Sequence, residues 1–312
     1  MIEIPIYDDT FLSGLMCAGY PMDETASEIE RRKVVHELSL FTIRLSNTLI
    51  YYAISNLKEA FKLEENNVAF AILQRAAIYH ISNHKLSTEG IWATYQECKM
   101  PIADEFKTMP LTRSVYEHLV MFYYLFNYTD DANQREIIWK SWILGSKKNQ
   151  AKASFHEFEK ERLKAQEEIN KICVSLAQNE LVMRCLSNPK GQYDYCLKSG
   201  SLFCVGLKGD KYIAEKLTYD KAWKMLYGED LNLSLLYSYM SLHAHPTYNG
   251  LLEFGHQETH IDFPLYDSCL FLTYLCRLFM KQLGIDKNII IGTYTEREKG
   301  IFSYMSNENK IY

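Results

Sequence analysis

The chain has 312 residues, 47% of them hydrophobic and 23% charged, proportions that supply a sizeable core and exclude an intrinsically disordered polymer. Its 34 basic and 39 acidic side chains leave a formal charge of −5, so no overall basic excess marks nucleic acid or anionic lipid as an obligatory partner. Glycine (14) and proline (7) fall below the roughly 22 and 16 that average usage would give, and a chain this poor in turn formers is predicted to be mostly helical.

Residues 1–22 read as an N-terminal extension whose acidic start lacks the positive and apolar regions of a secretory signal. No apolar run reaches the roughly 18 to 20 residues that span a bilayer, and the eight cysteines include no C-x-x-C pair. The expectation is a cytoplasmic chain with reduced thiols and no membrane partner, in which Cys269 and Cys276 pack as small hydrophobes.

Between Pro21 and Gly90 there is neither glycine nor proline, and Leu38, Phe41, Leu45, Leu49, Tyr52 and Leu57 recur at helical spacing. This predicts a long helix starting near Thr25 or Ser27, a turn at Asn66 and Asn67, a second helix over about 68–84, and a shorter one after Thr88. Pro110 predicts the first turn of a helix running to Tyr128, and Asp130 or Asp131 the cap of the next, which carries Trp139 and Trp142. From Lys152 to Lys171 ten of twenty residues are charged, five of each sign, with Glu159 and Arg162 among the pairs at helical spacing; a solvated helix is the preferred reading. Glycines and prolines at 189, 191, 200, 206 and 209 predict irregular structure or a small hairpin near 189–213, and they fit no phosphate-loop pattern. Helices resume over 219–227, 231–245, 265–283 and 295–305. The fold expected is all-α: one helical domain over 1–312, a multi-helix bundle with a charge-rich helical protrusion at 150–188, centred on the weakly charged helices after Pro110 and Leu231.

Two stretches within 110–250 concentrate candidate chemistry. The only formal charges on the helix after Pro110 are Arg113 and Glu117, four residues apart with the basic residue first, the weaker order for an exposed pair. Both are therefore expected to be partly buried and paired, as a polar core or a functional pocket. Within the uncharged run 231–252, Tyr237, Ser241 and His245 are spaced four apart and form one polar stripe ending at Pro246. His245 at a helix end is either an acid or base or a histidine bonded to backbone carbonyls. His243, His256 and His260 lie close in sequence, but His256-Gln-Glu-Thr-His260 lacks the glutamate of H-E-x-x-H, so polar loop residues are preferred to a metal site there.

The pattern R-S-x-x-E at Arg113, Ser114 and Glu117, followed by Y-x-x-x-S-x-x-x-H-P-[ST] at Tyr237, Ser241, His245, Pro246 and Thr247, resembles an uncharacterised family of bacterial helical proteins. That resemblance implies that Arg113, Glu117, Ser241 and His245 meet in one site; as polar residues on otherwise apolar helices they are also expected in mutual hydrogen-bonding range where the two helices cross. A second resemblance is to the HEPN ribonucleases, whose R-x(4 to 6)-H motif Arg113 and His118 match. Arg31 with His36 and Arg75 with His80 match it too, where about one match is expected by chance. It implies a homodimer and metal-independent RNA cleavage in a defence or toxin role, with Arg113 on the phosphate, His118 or His245 handling protons, and no cofactor. The alternative is a non-catalytic helical module that holds a small anionic ligand or a protein partner.

Overall fold

A computed structural model describes residues 28–89, 91–95, 98–102, 108–152, 159–186, 193–227, 237–238, 240–241 and 262–306. The described chain is predominantly helical, with two small antiparallel hairpins, so the all-α expectation holds. It divides into two compact units, 1–122 with 229–312, and 123–228; the boundary falls inside one helix.

In the first unit, α1 (Glu28–Asn56) buries Val35, Leu38, Phe41, Thr42, Leu45, Leu49 and Ala53 along one stripe, the periodicity legible in the sequence. The predicted turn shifts. A 3₁₀ turn at Ala60–Lys62 follows α1, and α2 (Glu64–Glu89) has already begun before Asn66. Asn66 nonetheless closes that turn, its Nδ2 donating to the Ala60 carbonyl at 2.9 Å. No short helix follows Thr88. Instead α2 runs on to Glu89, and β1 (Ile91–Tyr95) pairs antiparallel with β2 (Cys98–Ile102), in register from Ile91 opposite Ile102 to Tyr95 opposite Cys98. Ile-Trp-Ala-Thr-Tyr is rich in aromatic and β-branched residues, and that strand preference prevails over continued helix.

Next comes α3 (Met109–Phe126), which opens with Pro110 in its first turn, as predicted. The fullest burial among the described helices belongs to α9 (Asp262–Leu283), with Leu265, Cys269, Leu272, Leu275, Cys276 and Phe279 all inaccessible. It packs on α1 and α2 and meets α3 through ring contacts of Tyr116 with Phe271 and Phe122 with Phe279. The helix expected at 231–245 lies mostly outside the described residues, and α9 takes the central place because it is apolar on nearly every face. Gly284, at φ 63°, ends α9 with a left-handed turn in which the Ile285 N–H donates to the Met280 carbonyl at 2.9 Å. Two short helices, α10 (Lys287–Ile291) and α11 (Glu296–Met305), complete the unit.

The second unit begins inside α3 and contains α4 (Ala132–Ala151), α5 (Glu159–Ala177), α6 (Glu180–Leu186), α7 (Tyr193–Ser199), the hairpin β3 (Phe203–Lys208) and β4 (Lys211–Lys216), and α8 (Tyr219–Tyr227). Asp131 caps α4, accepting from the Gln134 N–H at 2.8 Å. The charge-rich segment is helical from Glu159 onward, its residues 153–158 lying outside the described ones, and Glu159 reaches Arg162 at 4.0 Å. Only part of its surface is solvated, however: Ala165, Ile169 and Leu176 are buried, the last two in a core that also holds Leu144, Val182, Phe203 and Ala214. The hairpin begins inside the stretch predicted at 189–213 and runs past it to Lys216, and Gly209 at φ 60° occupies its turn.

All six cysteines whose side chains are described are free, and Cys269 and Cys276 are buried as expected. Among the described residues no helix is long and apolar enough to cross a membrane.

Candidate functional site

A contact between three helices of the first unit fixes the start of α3. The Thr112 hydroxyl accepts from Asn83 Nδ2 of α2 at 2.7 Å and donates to the Pro264 carbonyl of α9 at 2.8 Å, with all three side chains or groups out of water. One residue later Arg113 emerges on a less buried face. Its Nε donates to Glu117 Oε1 at 2.8 Å, and the two side chains are 21% and 31% exposed. The Tyr237 hydroxyl donates to the same carboxylate oxygen at 3.3 Å and accepts from Arg113 Nη2 at 3.5 Å. The guanidinium carbon also lies 5.4 Å from the Tyr237 ring centroid, within cation–π range. Burial first, and then the Glu117 carboxylate, raise the Tyr237 phenol above its ordinary value, which keeps the donated proton in place.

The arginine, the carboxylate and the phenol thus form a closed polar triangle. The Tyr237 ring also packs 5.4 Å from that of Tyr116, so the triangle sits on an aromatic floor continued by Phe271. It joins α3 to the helical residues 237–238 and 240–241, as expected for polar groups on otherwise apolar helices. Ser241 does not enter it through its hydroxyl, which donates to the Tyr237 carbonyl at 2.8 Å within its own helix. Ser114 is likewise satisfied locally, donating to the Pro110 carbonyl at 2.8 Å. His245, Thr247, His243, His256 and His260 lie outside the described residues.

His118 belongs to a different face. Five residues at about 100° each separate it from Arg113 by about 140° around α3. Its Nδ1 donates to the Ser114 carbonyl at 2.7 Å, which leaves Nε2 as the nitrogen with an open lone pair. Its ring lies 5.4 Å from that of Tyr79 on α2, with the planes inclined at 56°. Burial lowers its proton affinity; the Ser114 carbonyl opposes this, Arg75 adds to it, and Glu117 opposes it. The net shift is downward from 6.5, so the imidazole is neutral at pH 7.

The other arginine–histidine matches have different surroundings. His80 is fully buried, with Nδ1 2.7 Å from Ser268 Oγ and Nε2 3.2 Å from Ser39 Oγ. Burial pushes it down to about 3. Ser39 Oγ also meets His84 Nδ1 at 2.9 Å, and the His84 ring stands 6.0 Å from that of His36. This hydrogen-bonded chain through α1, α2 and α9 escaped sequence reasoning, because Ser39 and Ser268 carry no motif and meet His80 only in the fold. The Arg75 and Tyr79 surroundings of His118 had one available signal, their spacing of four on α2. Among the described residues no group of three or more His, Cys, Asp or Glu side chains is placed to hold a metal ion.

Neither a curated protein nor a solved structure matches the chain. A family model does, over residues 98–261, a span that holds Arg113, Glu117, His118, Tyr237, Ser241 and His245 but not Arg75 or His80. The chain therefore belongs to the family of unknown function DUF5677.

Proposed function

We propose that this protein is a cytoplasmic ribonuclease in which His118 accepts the proton of the attacking hydroxyl. The observation that carries the reading is the His118 environment: Nδ1 is committed to a backbone carbonyl, Nε2 is left to accept, and burial keeps the ring neutral at pH 7. In the step envisaged, an RNA 2′-hydroxyl gives its proton to Nε2 while its oxygen forms a bond to the adjacent phosphorus. The bond from phosphorus to the 5′-oxygen breaks, that oxygen takes a proton from His245, and His118 returns its own to solvent while His245 takes one back. The products are a 2′,3′-cyclic phosphate and a 5′-hydroxyl end. Arg113, held by Glu117 and Tyr237, acts here as a positioning residue that fixes the start of α3, and His245 is the candidate for the leaving-group proton.

The test is cleavage of an RNA oligonucleotide by the full chain and by His118→Ala and His245→Ala variants. Loss of a positioned acid or base typically costs about 10²- to 10⁴-fold in rate, and His118→Ala is expected to fall in that range. Wild-type protein that leaves RNA intact, or His118→Ala that cleaves it normally, overturns the reading.

A second reading, a non-catalytic helical binding module, is favoured by one specific observation. The Arg113 charge is already matched by Glu117 and Tyr237, an arrangement suited to holding two helices together. Full RNA inertness together with a marked loss of stability in Arg113→Ala would select it.

A further inference from the structure

We propose that Arg75, Tyr79 and His118, brought together from α2 and α3, form a binding site for a phosphate group with Arg75 as its charged anchor. This deepens the ribonuclease reading and rests on it for the identity of the substrate, a phosphodiester of RNA.

The argument starts from helical spacing. Arg75 and Tyr79 are four residues apart on α2 and so share a face. The Tyr79 ring lies 5.4 Å from that of His118, Arg75 stands one helical turn before Tyr79, and its charge acts on the imidazole. Arg75 is exposed, and no ion pair or side-chain hydrogen bond engages it among the described residues. The helical positions that could carry an acid for it, 71, 72, 78 and 79, are Ala, Ile, Ile and Tyr. Its guanidinium therefore keeps five donors and a full charge for a partner from solution.

Arg113 offers much less, because Glu117 sits on it at 2.8 Å and it projects from another face of α3. The charges that act on His118 are Arg75 from α2 and Glu117 from its own helix, with opposite signs. An anion beside Arg75 would cancel the repulsion and raise the proton affinity of Nε2, making it a stronger acceptor for the 2′-hydroxyl proton. Once Nε2 holds that proton, arginine and imidazolium grip the phosphate from two sides, with Tyr79 as the wall between them. By linkage, phosphate binding must raise the His118 proton affinity. In the cleavage step the same guanidinium stands where charge builds on the phosphoryl oxygens.

The experiment follows the His118 ring signals by NMR as the full-length protein is titrated with pH, with and without inorganic phosphate, beside the RNA assay. Wild type should show a His118 titration displaced upward by phosphate. Arg75→Ala should abolish that displacement, weaken phosphate binding about 10- to 100-fold and slow RNA cleavage by a similar factor. Arg75→Lys should restore part of the binding through charge alone. An unchanged phosphate response and unchanged cleavage in Arg75→Ala, with cleavage still lost in His118→Ala, overturn the Arg75 assignment and leave the ribonuclease reading standing. A phosphate response that depends on Arg75 in a protein inert toward RNA supports the site and overturns the ribonuclease. No phosphate effect on His118 in wild type overturns the site outright.

Discussion

His80 and His118 each stand five residues after an arginine, and the fold treats them in opposite ways. His80 is sealed between α1, α2 and α9, with both ring nitrogens hydrogen bonded to side chains and its proton affinity pushed down to about 3. His118 is half-buried between α2 and α3, with one nitrogen committed and one open. The difference lies in the neighbours rather than the spacing. At five residues an arginine and a histidine never share a helix face, so each histidine takes its chemistry from the helix packed against it. For His80 these are the hydroxyls of Ser39 and Ser268; for His118 they are the ring of Tyr79 and the charge of Arg75.

The sharpest test of this contrast is His80→Ala. The substitution opens a cavity in a fully buried contact and takes from the buried Ser268 hydroxyl its His80 partner, and it should cost about 3–5 kcal/mol in a denaturant titration. A loss below about 1 kcal/mol would mean that His80 is not sealed.

The next effect is on pH dependence. The unfolded chain binds a proton at His80 near 6.5, while the folded chain does so only near about 3. Stability is thus fully present above pH 6.5 and is lost as pH falls through the window toward 3, at up to about 1.4 kcal/mol per pH unit. Between pH 6.5 and 5 wild type should lose about 2 kcal/mol more than His80→Gln, whose stability lacks this term. Asp267 on α9 works in the opposite sense. It is fully buried with Oδ2 unpartnered, and burial raises its carboxyl well above 3.8. Its contribution is present at low pH and fades as pH rises, so Asp267→Asn should flatten the alkaline side of the profile. An unchanged slope in that variant would show that the carboxyl is not held protonated.

The polar triangle should give a smaller effect. Arg113→Ala leaves Glu117 and Tyr237 without their common partner, but both charged groups keep some contact with water, so the cost should be about 1–3 kcal/mol. Glu117→Gln in the same chain should recover part of it, with a coupling of about 1 kcal/mol in a double-mutant cycle. A coupling near zero would mean that the triangle does not brace the helix crossing.

Much of this contrast was only half legible in the sequence. Periodicity located α1 through Leu38, Phe41, Leu45 and Leu49, while Pro110 and Asp131 marked the starts of α3 and α4, because these signals are local. The pairing of Arg113 with Glu117 was legible for the same reason. The hairpin at Ile91–Ile102 was missed in a stretch read as helical, and the turn before α2 was misplaced because no glycine or proline marks it. The His80 chain joins residues 41 and 188 positions apart in sequence, and no spacing rule reaches across such gaps. Tyr79 against His118 is hidden in the same way, since it depends on how α2 and α3 pack.

The smallest effect expected is that of His118→Ala on stability, and it completes the contrast. The only side-chain hydrogen bond described for His118 is the one it donates from Nδ1 to the Ser114 carbonyl. Losing such a bond costs about 1 kcal/mol, and the higher helix propensity of alanine returns roughly half of that. The net change should be about 0.5 kcal/mol, several times smaller than for His80→Ala. Since burial lowers the His118 proton affinity in the folded state, its contribution is also present above pH 6.5 and fades below it, so the variant should match wild type more closely as the solution is acidified. A protein that keeps its stability while losing an activity identifies a residue exposed for chemistry. A loss of several kcal/mol would place His118 beside His80 as a structural histidine and remove the observation on which the ribonuclease reading rests.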